Sequence, residues 1–136
     1  MFKNVLVPID LSGAQKSKPT LDLLRTLCAP DARVTLLHVV EDIPRYVAVE
    51  LPQEVLKARN KYVQQELTAA ANAAGVKASV EVRSGPAANG ILAAAEEHGA
   101  DLIIVSSHKP GLQDYLLGST AARVVRHAAC PVLVMR

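Results

Sequence analysis

Five short runs rich in Val, Ile and Leu recur along this chain, and a longer stretch with helical spacing lies between each run and the next. The runs are Asn4–Asp10 (NVLVPID), Arg33–Val40 (RVTLLHVV), Ala78–Val82 (ASVEV), Asp101–Ser107 (DLIIVSS) and Pro131–Met135 (PVLVM). Their length and β-branched content predict strands. The intervening stretches carry one apolar stripe each: Leu21, Leu24 and Cys28; Leu56, Val63, Leu67, Ala70 and Ala74; Ala88, Ile91, Leu92 and Ala95; Ala121, Val124, Val125 and Ala128. Each stripe fits one buried helix face. Pro19 falls in a first helical turn, Gly75 and Gly99 fall just past helix ends, and Ser119 stands where an N-cap belongs. Strict alternation of strand and helix predicts an α/β fold, a doubly wound five-stranded parallel sheet ordered 3-2-1-4-5, because right-handed crossovers lay helices over both faces. Such sheets bind ligands where strand order reverses, here between the carboxyl ends of strands 1 and 4. The longest interruption, Glu41–Gln53 with Pro44, Tyr46 and Pro52, is placed to lie over that mouth.

A length of 136 residues suits one domain spanning 1–136. With 50% hydrophobic residues but one Phe, three Tyr and no Trp, the core must be built from Val, Leu, Ile and Ala. That is the composition of buried parallel strands. A formal charge of +2 without a basic block argues against a nucleic-acid partner. Cys28 and Cys130 lie far apart, without a CxxC pattern, and read as buried reduced thiols of a reducing compartment. The opening MFKNVLVPID lacks the pattern of a signal peptide, and no apolar run reaches the roughly 18–20 residues of a membrane span. A cytoplasmic protein with no membrane contact is expected.

The candidate chemistry gathers at the strand ends. Strand 1 closes in Pro8-Ile9-Asp10, and an acid there can accept hydrogen bonds from ribose hydroxyls or help hold a metal beside phosphates; a plain turn residue would look the same. Strand 4 runs out into Ser106-Ser107-His108-Lys109, and Gly118-Ser119-Thr120 opens the last helix. A helix N-terminus carries about +0.5 charge and unpaired N–H donors, which favours phosphate. Glycine admits a close backbone approach, and the hydroxyls of Ser119 and Thr120 can donate. The plainer alternative is that Ser119 only caps the helix. His108 has neither a nucleophile nor an orienting acid placed by sequence, so it reads as a polar loop residue rather than a base. His38, between Leu37 and Val39, reads as a partly buried strand histidine. Arg123 and Arg126 suit the polar side of the last helix.

Taken together, VLVPID, LLHVV and YLLGSTAARVVRHAACPVLVMR resemble the universal stress protein family over essentially the whole chain, and SHKPGLQDYLLGSTAARVVRHA is most similar to the F/G subgroup of its bacterial members. The resemblance implies a fold of the adenine nucleotide alpha hydrolase-like, HUP type. It also implies an ATP site, with Mg²⁺ carried by the nucleotide, in a small dimeric protein of the stress response. Pro8 and Asp10 match the family's residues after strand 1, with Asp10 the candidate Mg²⁺ contact. Val39 matches the valine whose backbone meets adenine, and Gly85 matches the glycine after strand 3. The family's phosphate motif, Gly-x-x-Gly, then nine residues, then Gly-Ser or Gly-Thr, matches at Gly118 and Ser119. It departs earlier. Counting back from Gly118 meets His108 and Val105, and a loop shorter by one residue would put Ser106 and Lys109 in the glycine places. Lys109 can offset phosphate charge and Ser106 or Ser107 can donate, so the cradle reads as remodelled.

Other classes fit less well. A receiver domain needs an acidic pair after strand 1 and a phosphorylatable Asp after strand 3, where Gly85-Pro86 stands. A flavodoxin needs aromatic residues to flank its flavin. A stress protein that binds no nucleotide and acts only through partner contacts is the remaining alternative. No residue is placed to activate water, so catalysis beyond slow ATP hydrolysis is not expected. PVLVM is apolar on both faces and falls at the sheet edge in the 3-2-1-4-5 order. An apolar edge calls for a cover. A homodimer joined through Val132, Leu133, Val134 and Met135 is therefore expected.

Overall fold

The computed structural model describes residues 1–11, 17–41, 52–107 and 117–136. In chain order these residues form β1 (Phe2–Pro8), α1 (Lys18–Leu27), β2 (Cys28–Val40), α2 (Gln53–Ala73), β3 (Ser79–Ser84), α3 (Ala87–His98), β4 (Leu102–Ser106), α4 (Ser119–His127) and β5 (Val132–Met135). Every strand pairing is parallel, and the sheet order is β3-β2-β1-β4-β5. The predicted doubly wound sheet is present.

Side chains alternate across a strand, so each strand feeds two cores. Val5 and Val7 of β1, Leu36 of β2 and Ile104 of β4 pack on one face with Leu21 and Leu24 of α1 and Val63 and Leu67 of α2. Leu6, Leu37, Ile103 and Val105 pack on the other with Ala88 and Ile91 of α3 and Ala121 and Val124 of α4. Leu6, Leu37, Leu67 and Ile103 are no more than 1% exposed, and burial of each such side chain stabilises by about 2 kcal/mol.

β2 starts earlier than its apolar pattern predicts. Cys28, counted with the stripe of α1, instead pairs with Phe2, while Asn4 pairs with Arg33. Residues 29–32 thus bulge opposite Lys3, and Pro30 among them has no N–H for the ladder. Beside this bulge Asp101 ties the start of β1 to β4. Its carboxylate accepts the N–H groups of Lys3 at 2.8 Å and Asn4 at 2.9 Å, and its own N–H donates to the Asn4 carbonyl at 2.8 Å.

β1 and β4 are central neighbours, but the chain leaves β1 for α1 on one face and leaves β4 for α4 on the other. Their carboxyl ends therefore part company. The crevice this opens is where a doubly wound sheet receives a ligand.

Candidate functional site

The β1 side of the crevice is held by hydrogen bonds to β2. The N–H of Ile9 donates to the Leu37 carbonyl at 2.7 Å, and the Ile9 carbonyl accepts from His38 Nδ1 at 2.8 Å. A carbonyl only accepts, so Nδ1 carries the proton, and in the neutral ring Nε2 is left as an acceptor. Ile9 is thereby fixed through both of its backbone groups. Asp10, the next residue, stands exposed at the mouth.

The β4 side joins β5 and α4. The N–H of Ser107 donates to the Met135 carbonyl at 2.9 Å, and Ser107 is 8% exposed. Gly118, not Ser119, occupies the N-cap of α4, with φ −60 and ψ 154. The expectation that Ser119 caps this helix is corrected: Ser119 is the first helical residue and is exposed. Among the described residues, nothing requires glycine at 118. Its φ is ordinary for any residue, and a Cβ there would meet the Ser107 carbonyl oxygen at an unstrained 3.7 Å. Ser or Asn would cap the helix slightly better.

Between the two sides lies a cavity of about 410 Å³, lined by Pro8, Ile9 and Asp10, by Leu37 to Glu41 of β2 and its end, by Ala87 and Ile91 of α3, by Val105, Ser106 and Ser107, and by Gly118, Thr120 and Ala121. Its volume is that of a small-molecule site, for which about 300–1,000 Å³ is usual. Leu37, Val39, Ile91 and Val105 make one side apolar, while Ser106, Ser107, Thr120 and the start of α4 make another polar. Such a division suits a ligand with a flat apolar part and an anionic tail. In the described lining the ionised groups of fixed sign are two carboxylates, Asp10 and Glu41. Among the described residues no three His, Cys, Asp or Glu side chains gather as metal ligands.

Of the residues singled out by sequence, Pro8, Ile9, Asp10, Val39, Ser106, Ser107, Gly118 and Thr120 meet around this cavity. Gly85 and Ser119 stand outside the lining. Gly85 is buried at φ 123, and its N–H donates to the Val40 carbonyl at 2.9 Å, so it shapes the turn that delivers Ala87. His108 and Lys109 lie outside the described residues, as does most of the loop 41–53. Sequence reasoning gave no site role to Ala87 and Ile91; it read His38 as a partly buried strand histidine, which it is, and counted Glu41 with the loop expected over the mouth. The clue to His38 and Glu41 was their place at the end of β2, beside Val39.

A larger hollow, about 1140 Å³, lies at the amino ends of the strands between Arg25, Arg33 and Lys77. It follows the 29–32 bulge rather than the point where strand order reverses. The carboxyl-end cavity is the better candidate, since doubly wound sheets take ligands there.

A sequence model of the universal stress protein family matches residues 1–136. The chain is 33% identical to universal stress protein MJ0531 of Methanocaldococcus jannaschii, over all of this chain and 83% of the relative. It is 30% identical to universal stress protein G of Escherichia coli O157:H7, over 100% of both. The solved protein MJ0577 superposes with a TM-score of 0.79 at 28% identity, covering 99% of this chain and 96% of that one. A universal stress protein solved in complex with cAMP shares the fold, with a TM-score of 0.67 at 22% identity over 99% and 97% of the two chains.

Proposed function

The chain belongs to the universal stress protein family, and from that premise we propose that it binds ATP, with Mg²⁺, in the cavity at the carboxyl ends of β1 and β4. In this reading it is a single-domain cytoplasmic protein that acts as a dimeric, nucleotide-dependent regulator of a stress response. The observation that carries the reading is Gly118. A glycine that neither the backbone angle nor the packing among the described residues requires stands at a helix N-terminus on the cavity wall.

The base lies along the apolar side, against Val39. Asp10 faces the ribose or the metal, and the phosphates reach toward Gly118 and Thr120. Two carboxylates in the described lining would repel a bare triphosphate, so its charge is offset by Mg²⁺, by the N-terminus of α4, and by Lys109 of the intervening loop. Mg²⁺ commonly takes one or two carboxylates together with substrate phosphates, and Asp10 is the contact suited to that role. Gly85 acts indirectly through its turn, and the exposed Ser119 contributes its backbone N–H. The reading is of a protein that binds ATP and hydrolyses it at most slowly.

The dimer forms through β5, which among the described residues pairs only with β4. All four of its residues are half-buried. A two-fold partner strand would complete both their cover and their ladder.

Calorimetric titration with ATP, GTP and AMP in the presence of Mg²⁺ tests the nucleotide site. ATP should bind with clearly the highest affinity. Equal weak heats for all three would remove the adenine reading and leave a protein that works through partner contacts alone.

A further inference from the structure

We infer that Gly90 is a specificity-determining positioning residue for the base, a role that rests on the ATP reading above. Gly90 lies inside α3, where glycine costs about 1 kcal/mol relative to alanine. Its φ is not positive, unlike that of Gly75, Gly85 and Gly99, so backbone geometry does not call for glycine. Packing does. A Cβ at residue 90 would come within 2.9 Å of Val39 Cγ2 and 3.1 Å of Val39 Cγ1, with Val39 Cβ itself at 3.6 Å.

Val39 cannot turn away from this contact. Both of its methyls already face Gly90, and of the three staggered positions on a valine only one can point elsewhere, so every rotamer keeps a methyl toward the helix. Val39 lines the cavity, and so do Ala87 and Ile91, which flank Gly90 on α3. The missing side chain therefore sets how closely α3 approaches β2, and with it the width of the apolar slot. A methyl at 90 would push Val39 or α3 by a few tenths of an ångström. Either shift alters the walls that meet the base.

Gly90→Ala and the double variant Gly90→Ala/Val39→Ala test this, with ATP and inorganic tripolyphosphate as probes and thermal unfolding of the ligand-free proteins as an independent readout. Gly90→Ala should bind ATP about tenfold more weakly, the scale of one misplaced methyl group in an apolar pocket. Its affinity for tripolyphosphate, which carries no base to meet Val39, should fall by less. Despite alanine's better helix propensity its melting temperature should not rise, whereas removing the Val39 methyls in the double variant should raise it above that of Val39→Ala alone. Unchanged ATP affinity in Gly90→Ala would overturn the role in binding, and a rise in its melting temperature would overturn the tight contact itself. Failure of the unmodified protein to bind ATP would instead remove the nucleotide reading and this role with it, an outcome the ligand-free melting curves distinguish from an absent contact.

Discussion

The Nδ1 of His38 lies 2.8 Å from the carbonyl oxygen of Ile9, so a side chain of β2 holds the backbone of β1 one residue before Asp10. The bond extends the β1–β2 pairing past Pro8 and sets where Asp10 emerges at the cavity mouth. His38→Phe should lower stability by about 1–2 kcal/mol, because a part-buried carbonyl loses its donor, and should weaken ATP binding. His38→Asn should restore most of both, since its amide nitrogen stands about where Nδ1 stands. Urea unfolding and calorimetry on the two variants check this; equal behaviour of Phe and Asn would show that the bond positions nothing.

Gly118→Val separates ligand space from fold. Because φ is −60 and a Cβ would make only an ordinary contact with the Ser107 carbonyl oxygen at 3.7 Å, the substitution should leave the circular dichroism spectrum nearly unchanged. ATP binding should fall below detection, since a branched side chain would stand where phosphate approaches the backbone. Retained affinity would mean that α4 begins there without serving a ligand.

Asp101→Asn probes the opposite end of the sheet. Burial pushes the Asp101 carboxyl up, but the N–H groups of Lys3 and Asn4 outweigh it and hold the group below its ordinary value. A carboxyl depressed in the folded state stabilises above its unfolded value, near pH ~4, and that stability is lost as pH falls through the lower folded value. The variant should therefore be less stable than the unmodified protein by about 1 kcal/mol at neutral pH, with the gap closing in acid. Denaturant melts at neutral pH and in acid read the difference; a gap that widens in acid would contradict this account.

Light scattering after size exclusion should give about twice the 14.5 kDa chain mass at micromolar concentration. Val134→Pro, which removes a ladder donor and fixes φ at the sheet edge, should shift the protein toward monomer. A monomeric unmodified protein would rule out pairing through β5.

Strand number, order and the location of the crevice were legible in the chain because they rest on local periodicity and on the handedness of crossovers, both of which operate within one β-α-β unit. The strand ends and the family pattern together named half of the residues that line the cavity, from Pro8 to Thr120. Local pattern misled where chain geometry depends on a neighbour: Cys28 follows the helical stripe of α1 yet pairs with Phe2, and Ser119 looks like a cap while Gly118 occupies that place. The contributions of His38, Ala87 and Ile91, and the fit of Gly90 against Val39, belong to packing between elements far apart in sequence. Hydrophobic periodicity says which face of a helix turns inward, but the distance between two inward faces is settled only when both are in place. A glycine inside α3 marks that something approaches closely. Only the folded sheet shows that the approaching group is Val39.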